Sequence, residues 1–386
     1  MLYMEQKYYK IFGKEEIDIA AIEQMNEAMA LPISIKGALM PDAHVGYGLP
    51  IGGVLATYNA VIPYAVGMDI GCTMFLSYYT LDSDYLFNNI TKLRRILIEN
   101  THFGRSENKD IKEHEILERP EFNEIAILKR LKDKAYSQLG TSGTGNHFVD
   151  IGIIEFLNNY EEYEIEKGQY LAVLSHSGSR GMGAEIATYY SRIAKQKCDF
   201  QFESKNLAWL DINSNEGIEY WKSMTIAGDY ALANHFIIHN KIAKALGCDY
   251  IKAIYNRHNF AWKDDINLNE CVVIHRKGAT LAYKGDLGII PGSMASPAFV
   301  VQGKGNEESL FSASHGAGRI TTRKSAKKTL SIDELHNLLK NKGIELIGGD
   351  VDESPLVYKD IYKIMNHQKN LVSIIGVFNP KIVRMN

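Results

Sequence analysis

The sequence has few cysteines, no long apolar run and little net charge. Its four cysteines show no Cys-X-X-Cys spacing, which argues against a disulfide scaffold or a zinc ribbon and favours a reducing compartment. Because no run of about 18 apolar residues occurs, we expect no membrane-spanning helix. The net charge of −3 excludes a global basic field that would attract nucleic acid, so any such contact requires a local patch.

The N-terminal segment and the composition are those expected of a soluble cytoplasmic protein. Residues 1–16, MLYMEQKYYKIFGKEE, are charged throughout and lack the apolar stretch of a signal peptide. The 386 residues are 45% hydrophobic and 23% charged, which is typical of a chain with a sizeable core. No Pro/Ser-rich linker, internal repeat or low-complexity tract interrupts the chain. We therefore expect a single domain over residues 1–386, and a monomer.

Apolar periodicity predicts a mixed α/β fold. Between residues 33 and 80, β-branched apolar runs alternate with glycine and proline, which is typical of short buried strands joined by tight turns. Residues 170–181 predict a strand that runs into a Gly/Ser turn, and residues 216–246 predict one long helix that ends at Gly247. Further helices are predicted over 15–30, within 81–137, and over 182–197 and 331–343, and further strands within 270–277, 285–294 and 298–302.

Seven segments predicted as turns, five of which contain glycine, carry side chains that can bind a metal or a phosphate. Glycine permits positive φ and close backbone approach, so such turns can direct N–H groups at an anion. One turn of this kind is weak evidence, because most glycine-rich turns are only turns. Seven that also carry Asp, Cys, His, Arg or Ser favour a shared site. They lie at residues 40–44, 66–72, 140–150, 174–183, 256–260, 290–294 and 312–319.

The metal-competent residues are a carboxylate, a thiol and three imidazoles. Asp69 and Cys72 are three positions apart, and His147, His176 and His258 each lie next to a predicted strand. This donor set suits a transition metal, and a thiolate can bridge two ions. Each histidine alone is more often a hydrogen-bonded structural residue, and a lone Cys72 more often a small buried apolar one. Spacing in the sequence does not show whether these side chains converge.

The other histidines are predicted to be structural or solvated. His235 and His239 have the i, i+4 spacing of helical metal ligands, but no HExxH glutamate accompanies them, so we favour a plain amphipathic helix. His275 lies within an apolar strand and predicts a core residue. The remaining four histidines lie in segments rich in charged residues, and we expect them to be exposed to solvent: His102, His114, His336 and His367.

A phosphate site is predicted where a histidine, glycines and an arginine share one loop. In SHGAGR, His315 is a potential nucleophile, and the glycine N–H groups and Arg319 can hold phosphate oxygens. HSGSR repeats the arrangement, with Arg180 four residues after His176. The cluster that follows is the best candidate for contact with a nucleic-acid backbone, the alternative being a solvated helix face: Arg323, Lys324, Lys327 and Lys328.

Taken together and in order, these motifs resemble the RtcB family of RNA-splicing ligases. The match runs from about residue 36 to the end of the sequence without large gaps. Several of the motifs are short, but their ordered series is highly specific. The matching segments are PDAH, IGGV, VGMDIGC, GNHF, HSGSRG, the HN of RHNF, RKGA, IPGSM, GNEES, SHGAGR and YKDI.

The resemblance implies a fold, a reaction and cofactors. The family has an α/β architecture of its own, with packed β-sheets surrounded by helices and glycine-rich active-site loops. Its members use GTP and two Mn²⁺ ions to join an RNA 3′-phosphate or 2′,3′-cyclic phosphate to a 5′-hydroxyl, in RNA repair or tRNA splicing. The implied partner is therefore RNA with those ends, and an activating protein is a further candidate partner.

Carried over by motif, the resemblance also implies a set of site residues. Cys72, His176 and His258 would hold one metal, and Asp69, Cys72 and His147 the other. His315 would accept GMP covalently, oriented by Asp42. The remaining positions form the implied nucleotide pocket: Asn146, His147, Phe148, Val149, Asp150, Arg180, His258, Asn259, Pro291, Gly292, Ser293, Met294, Gly316, Ala317, Gly318 and Arg319.

Three departures from the family pattern bear on the nucleotide. Asp150 stands where the family usually has Glu, and Ala298 replaces a second phosphate-contacting Ser. Met385 occupies the place of a lysine that reads guanine, where Arg384 is the available substitute. Guanine selectivity is therefore the property that these departures put in question. Manganese likewise does not follow from the ligands, whose intrinsic affinity favours zinc or cobalt.

Two alternative functions stay open at the level of the sequence. A binuclear metal phosphodiesterase that opens 2′,3′-cyclic phosphate ends without sealing them would need the metal ligands but not His315. A non-catalytic RNA-binding paralogue should have lost metal ligands, and this chain keeps all five. Labelling with GTP would separate these possibilities.

Overall fold

The computed structural model describes residues 7–104, 113–198, 205–267 and 270–386, which form fifteen strands and eleven α-helices. The strands are β1 Tyr9–Ile11, β2 Ser34–His44, β3 Ile51–Tyr58, β4 Ala60–Val61, β5 Thr73–Tyr78, β6 Phe148–Phe156, β7 Gly168–Ser177, β8 Leu210–Asp211, β9 Lys252–Asn267, β10 Glu270–Leu281, β11 Leu287–Pro291, β12 Ala298–Gly303, β13 Ser312–Ser314, β14 Glu345–Ile347 and β15 Val372–Met385. The helices are α1 Ile19–Met29, α2 Pro63–Val66, α3 Ser83–Asn88, α4 Ile90–Asn100, α5 Glu121–Glu124, α6 Ala126–Gln138, α7 Arg180–Lys197, α8 Asn215–Leu246, α9 Arg323–Thr329, α10 Ile332–Asn341 and α11 Ile361–His367.

Thirteen of the described strands form one large curled sheet. Its order is β1-β2-β3-β10-β9-β5-β7-β6-β15-β12-β11, with β13 paired to β10 and β14 to β15. Only β1–β2 and β14–β15 are parallel among these pairs. The sheet curls back on itself, because Asn256 on β9 accepts a hydrogen bond from the Ile289 N–H on β11 at 2.8 Å. Helices surround this sheet, which confirms the predicted mixed α/β class.

The central strands have an apolar side chain on each face of the sheet. On one face Val149 and Ile151 pack under α4 and α8. On the other face Met74, Leu174 and Phe378 pack in a separate cluster inside the curl of the sheet. Each such buried side chain contributes about 1.5–3 kcal/mol relative to an exposed one. The curl therefore leaves an interior lined by the inward-pointing residues of β5, β7, β9, β12 and β15.

The predicted long helix is confirmed as α8. Its N-terminus is capped by the Ser214 hydroxyl, which accepts a hydrogen bond from the Gly217 N–H at 3.0 Å. Its C-terminus is closed by Gly247, whose φ of 80° is the left-handed conformation that glycine adopts without strain. Among the described residues, no helix combines the length and apolarity needed to cross a membrane.

The shorter helices also follow the predicted segments. Residues 15–30 contain α1, and residues 182–197 lie in α7, which begins two residues earlier than expected. The Ser331 hydroxyl caps α10, as the pattern of 331–343 predicted. Within 81–137 the described residues form four helices, α3 to α6, while residues 105–112 lie outside the described ranges.

Three of the four histidines expected in solvent are half-buried instead. His336 is exposed as predicted. His114 accepts a hydrogen bond from the Ile116 N–H at 3.2 Å, and His367 lies 3.4 Å from the Glu15 carboxylate. His102 is also half-buried. The prediction was wrong for these three, because local charge in the sequence did not reveal contacts made across a turn or between distant segments.

Acidification is expected to destabilise the protein through its buried neutral histidines. His275 is fully buried, accepts the Ile62 N–H at 2.9 Å and donates to the Leu55 carbonyl at 3.1 Å, and burial lowers its pKa to about 4. In the unfolded chain the pKa is about 6.5, so the unfolded state binds more protons below that pH. The free energy of unfolding should fall between pH 6.5 and about 4, by up to about 1.4 kcal/mol per pH unit for this histidine.

Urea unfolding of the parent and of His275→Leu at pH 7 and pH 5 measures this effect. The variant should have a shallower dependence of unfolding free energy on pH than the parent. The same dependence in both proteins would contradict a neutral buried His275.

Candidate active site

The metal-competent residues converge because β5 lies between β7 and β9 in the sheet. Cys72 immediately precedes β5, which pairs with β7 at Met74↔His176 and with β9 at Thr73↔Arg257. This register brings Cys72, His176 and His258 to one end of three neighbouring strands. The Cys72 Sγ lies 3.0 Å from His176 Nε2, which is 3.1 Å from His258 Nε2.

Asp69 and His147 form the other side of the same cluster. His147 immediately precedes β6, and its Nε2 lies 2.8 Å from the Asp69 Oδ2 and 3.5 Å from the Cys72 Sγ. The Cys72 Sγ therefore lies close to both His147 and His176. The two predicted ligand triads come together, and they meet at this thiol. We call these five residues, Asp69, Cys72, His147, His176 and His258, the ligand cluster.

A hydrogen bond and burial keep His176, and burial keeps His258, in the form that binds metal. His176 donates through Nδ1 to the Asn146 carbonyl at 2.9 Å, which leaves the Nε2 lone pair free. Burial lowers the pKa of His176 to about 3 and holds that of His258 well below its usual range. Both rings are therefore neutral near pH 7, as a metal ligand must be.

The charges of the remaining two ligands fit a bound cation. Desolvation opposes ionisation of Asp69, but its contacts with the His147 imidazole and the Cys72 thiol together outweigh that effect and lower the pKa of this carboxyl to about 2. Burial and the Asp69 carboxylate raise the pKa of the Cys72 thiol. A cation would stabilise the thiolate and use the ligand atoms of Cys72, His147 and His176, which lie within 4.8 Å of one another. The donor set thus fits a transition metal.

A glycine makes room for the carboxylate of the ligand cluster. A Cβ placed on Gly178 would lie 2.0 Å from the Asp69 Oδ1. Only a residue without a side chain therefore lets the turn after β7 approach Asp69 this closely. Gly178, the first glycine of HSGSRG, is thus a steric requirement of the ligand cluster.

His315 lies beside the ligand cluster and is oriented by Asp42. Pairing of β13 with β10 at Ala279↔Ser314 places His315 next to β9, with its ring centroid 5.2 Å from that of His258. Its Nδ1 lies 2.7 Å from the Oδ2 of Asp42, a fully buried residue of β2. A carboxylate oxygen accepts, so Nδ1 is the donor in this contact and Nε2 is the ring nitrogen that makes no contact with Asp42.

A cavity of about 420 Å³ connects His315 and the ligand cluster to the C-terminal strand. Its walls come from all seven segments that the sequence singled out, and they include apolar side chains of β5, β7, β12 and β15. Most predicted site residues line it: Asp69, Cys72, Asn146, Phe148, Asp150, His176, His258, Asn259, Pro291, Gly292, Ser293, Met294, His315, Gly316, Ala317, Gly318 and Arg319.

The sequence matches one family along nearly its whole length. The family model described as tRNA-splicing ligase RtcB matches residues 24–125 and 106–385. The chain belongs to the RtcB family. The RNA-splicing ligase RtcB of Escherichia coli strain K12 is 31% identical over 389 residues, which covers 93% of this chain and 92% of that relative.

Archaeal relatives match the chain over a similar share. The tRNA-splicing ligase RtcB of Nanoarchaeum equitans is 29% identical, covering 97% of this chain and 93% of the relative. That of Archaeoglobus fulgidus is 28% identical, covering 98% and 92%. The curled sheet with helices around it is consistent with membership of the RtcB family, so the predicted family is confirmed.

One residue of the nucleotide pocket inferred from the RtcB resemblance points elsewhere. Val149 lies between Phe148 and Asp150 on β6, and successive side chains of a strand face opposite sides of the sheet. Phe148 and Asp150 line the cavity, whereas Val149 is fully buried in the core under α4 and α8. The Val149 side chain therefore faces the core, and contact of this residue with the nucleotide stays a prediction.

Two other residues of the predicted nucleotide pocket make hydrogen bonds to groups of the protein itself. Arg180 donates through Nε to the Thr141 hydroxyl at 3.0 Å and through a terminal N–H to the Gly104 carbonyl. Asn259 lines the cavity, but its Oδ1 accepts the Gly278 N–H at 2.7 Å and so supports the irregular pairing of β9 with β10. Contact of Arg180 with phosphate stays a prediction.

Three cavity residues were not assigned a role by the sequence. Lys277 donates to the Tyr64 carbonyl at 3.0 Å, and burial lowers its pKa to about 7. His44 lies within 3.0 Å of the Asp42 carbonyl. Ser296 also lines the cavity, and its hydroxyl is 2.9 Å from that of Ser293. The sequence could have indicated Lys277, because in RKGA a lysine stands between an apolar strand and a glycine.

The predicted basic patch is partly neutralised. Arg319 and Arg323 both form ion pairs with Glu353, and Arg323 also contacts Asp352 at 3.2 Å. Lys327 lies 2.6 Å from Asp350. The patch is thus less basic than its sequence indicates, because acids about thirty residues downstream fold against it.

The end of the cavity formed by β6 and β15 carries the departures from the RtcB pattern. Asp150 is 4% exposed, and its Oδ1 has no hydrogen-bond partner among the described residues. Burial raises the pKa of this carboxyl well above its usual range. Met385 lines the same end of the cavity, in the strand that pairs with β6. Arg384 instead donates to the Leu97 carbonyl, so it does not replace the missing lysine here.

Proposed function

We propose that this protein is an RNA ligase that joins an RNA 3′-phosphate or 2′,3′-cyclic phosphate end to a 5′-hydroxyl end, using GTP and two Mn²⁺ ions. Membership of the RtcB family, whose curated members are named RNA-splicing or tRNA-splicing ligases, supports the ligase activity. The observation that carries the proposal is the oriented imidazole of His315, whose Nε2 is free beside the ligand cluster in one cavity.

The His315–Asp42 pair suits a nucleophile that accepts a nucleotide. Asp42 holds the Nδ1–H, so Nε2 can attack the α-phosphorus of GTP while pyrophosphate leaves as the P–O bond breaks. An RNA 3′-phosphate, which water must first generate from a 2′,3′-cyclic end, then takes GMP from His315 as the P–N bond breaks. This transfer gives the 3′-phosphate a leaving group. Attack by the 5′-hydroxyl forms the phosphodiester and releases GMP. His315 ends in its starting state.

The ligand cluster is proposed to hold the two cations. Cys72, His176 and His258 would bind one, and Asp69, Cys72 and His147 the other, with the thiolate shared. Bound cations would neutralise phosphate charge and align the attacking and leaving oxygens. The protein's own part is to keep His176 and His258 neutral, to fix His176 through Asn146 and to bury Cys72 and the three histidines from water. Manganese rather than zinc would reflect metal supply, because intrinsic affinity favours zinc.

Sealing of defined RNA ends tests the proposed reaction. One labelled strand ending in a 3′-phosphate and a second strand beginning with a 5′-hydroxyl should give one longer strand when GTP and Mn²⁺ are present. A first strand ending in a 3′-hydroxyl is the matched control and should not be joined. Opening of a 2′,3′-cyclic phosphate without any sealing would overturn the proposal in favour of a metal phosphodiesterase, which needs the ligand cluster but not His315.

Selectivity for guanine is expected to be weak and to increase in Met385→Lys. A lysine at this position would add a donor for the guanine O6 beside Asp150, whereas adenine has no oxygen there. The ratio of covalent labelling by GTP to labelling by ATP should rise about tenfold, equivalent to about 1.4 kcal/mol. Met385→Leu, which changes shape but adds no donor, should leave the ratio near that of the parent. An unchanged ratio in Met385→Lys would contradict the proposal that the guanine base binds at the end of the cavity formed by β6 and β15.

A further inference from the structure

A chain of hydroxyl and imidazole groups lies fully buried behind the ligand cluster. His235 Nδ1 and His239 Nε2, both on α8, lie 2.6 and 2.7 Å from the hydroxyl of Ser175 on β7. His239 Nδ1 lies 2.7 Å from the hydroxyl of Ser77 on β5, and His235 Nε2 lies 3.2 Å from the Ser177 carbonyl. All five residues are 0% exposed. These groups occupy the helix side of the strands that carry the ligands.

The positions of the protons in this chain follow from its carbonyl end. A carbonyl only accepts, so His235 carries its proton on Nε2 and accepts at Nδ1 from the Ser175 hydroxyl. Ser175 has then used its proton, so His239 donates to it through Nε2 and accepts at Nδ1 from the Ser77 hydroxyl. Burial lowers the pKa of His235 to about 4 and that of His239 well below its usual range, so each ring carries one proton. The hydrogen bonds from His239 through Ser175 and His235 therefore all point towards Ser177, while the Ser77 hydroxyl also contacts that of Tyr79 at 3.2 Å.

The chain ends on the backbone that presents two of the proposed ligands. Ser177 directly follows His176, and its carbonyl lies 3.4 Å from the Cys72 Sγ. Thr73, which directly follows Cys72, is paired with Ser177 across β5 and β7, and the His235 ring also faces the Thr73 backbone. The His235 imidazole therefore packs against β5 and β7, the two strands whose ends carry Cys72 and His176.

The neighbouring residue of α8 supports the next turn in the same way. Asn234 donates to the Gly178 carbonyl at 3.1 Å and accepts the Gly140 N–H at 2.8 Å. Gly178 is the residue that lies against Asp69. Consecutive side chains of α8 thus contact the carbonyl of the last residue of β7, Ser177, and that of the next residue, Gly178.

A metal site formed by His235 and His239 themselves does not fit these contacts. Both rings use both nitrogens in hydrogen bonds to hydroxyl or carbonyl groups, and no carboxylate or thiol is among those partners. The donors point at the backbone of β7 rather than at an ion. The chain is arranged to hold a strand in place.

We infer that His235, held by Ser175, is a positioning residue of the metal centre. Its Nε2–H fixes the Ser177 carbonyl and draws electron density from an oxygen that would otherwise face the Cys72 thiolate directly. This keeps the Cys72 Sγ and His176 Nε2 at a separation that one cation can span. The inference rests on the proposed function, because it assigns His235 to the metals of that site. Groups that orient metal ligands in this way typically change metal affinity about 10–100-fold.

Titration with Co²⁺, followed by absorption, tests the inference without any assay of activity. The thiolate-to-cobalt band reports contact with Cys72, and the ligand-field bands report coordination geometry. His235→Leu should raise the dissociation constant about 10–100-fold and shift those bands. His235→Gln, whose amide places an N–H near the position of Nε2, should stay within about threefold of the parent.

His275→Leu is the matched control, since it removes another fully buried, hydrogen-bonded histidine that lies away from the ligand cluster. It should lower thermal stability but leave the cobalt affinity and spectrum unchanged. Ser175→Ala, a smaller change in the same chain, should weaken binding in the same direction as His235→Leu, and it serves if the leucine variant does not fold.

The outcomes separate this inference from the proposed function. If the parent binds Co²⁺ with a thiolate band and folded His235→Leu or Ser175→Ala binds it equally well, the positioning role is wrong and the metal site stands. An equal loss in His235→Leu and His275→Leu would also overturn it, since the effect would then be one of stability. If the parent shows no thiolate band, the proposed metal site itself fails.

Discussion

Replacing Cys72 with alanine is expected to abolish tight metal binding and to lower RNA sealing by at least about 10³-fold. The Sγ lies 3.0 Å from His176 Nε2 and 3.5 Å from His147 Nε2, so it contacts both halves of the ligand cluster. Alanine leaves a gap where the shared ligand would be, and each cation would lose its negatively charged sulfur donor. Both proposed ions are therefore affected by one substitution.

Cys271→Ala is the matched control for this effect. Cys271 is 5% exposed and packs in the hydrophobic core on β10, so its replacement also removes a buried sulfur but leaves the ligand cluster intact. Cobalt titration and the sealing assay should show a loss for Cys72→Ala only. Guanylylation that persists unchanged in Cys72→Ala would count against a thiolate shared by two ions.

Replacing Asp42 with asparagine is expected to slow transfer of GMP to His315 on the order of 10³-fold. The buried Asp42 Oδ2 accepts the Nδ1–H of His315 at 2.7 Å, and that contact leaves Nε2 free. An asparagine can present its amide N–H to Nδ1, which moves the ring proton to Nε2 and removes the nucleophilic lone pair. In hydrolases that use a Ser-His-Asp triad, the same exchange of carboxylate for amide lowers the rate about 10⁴-fold.

Single-turnover labelling with GTP measures this change. The matched control is Asp360→Asn, because Asp360 caps α11 by accepting the Tyr362 N–H and asparagine caps a helix equally well. The control should label at the parent rate. A labelling rate in Asp42→Asn within about twofold of the parent would contradict the orienting role of Asp42.

The identities of the site residues could be predicted from the sequence, but their convergence could not. His176 and His258 are 82 positions apart, and they meet only because β5 pairs with β7 on one side and β9 on the other. Glycine-rich turns after apolar runs indicated where polar groups leave the strands. The order of the strands, which decides which turns are neighbours, depends on long-range pairing that no local pattern encodes.

The details of the site that the motifs did not give share this cause. The Val149 side chain faces the core because β6 begins at Phe148, and the register of that strand was not available from the motif alone. Arg323 belongs to the cluster predicted to contact a nucleic-acid backbone, but Glu353 folds against it and offsets its charge. The role of His235 also depends on where α8 crosses β7, and its i, i+4 spacing with His239 indicated neither that crossing nor a metal.

Covalent transfer from α-³²P-labelled GTP in the presence of Mn²⁺ tests the central claim most directly. The account predicts an acid-labile label on the parent protein that maps to His315 and is absent from His315→Ala, while both proteins bind metal equally. A label that persists in His315→Ala, or a metal-loaded parent that takes up no label, would contradict the claim that this imidazole is the nucleophile.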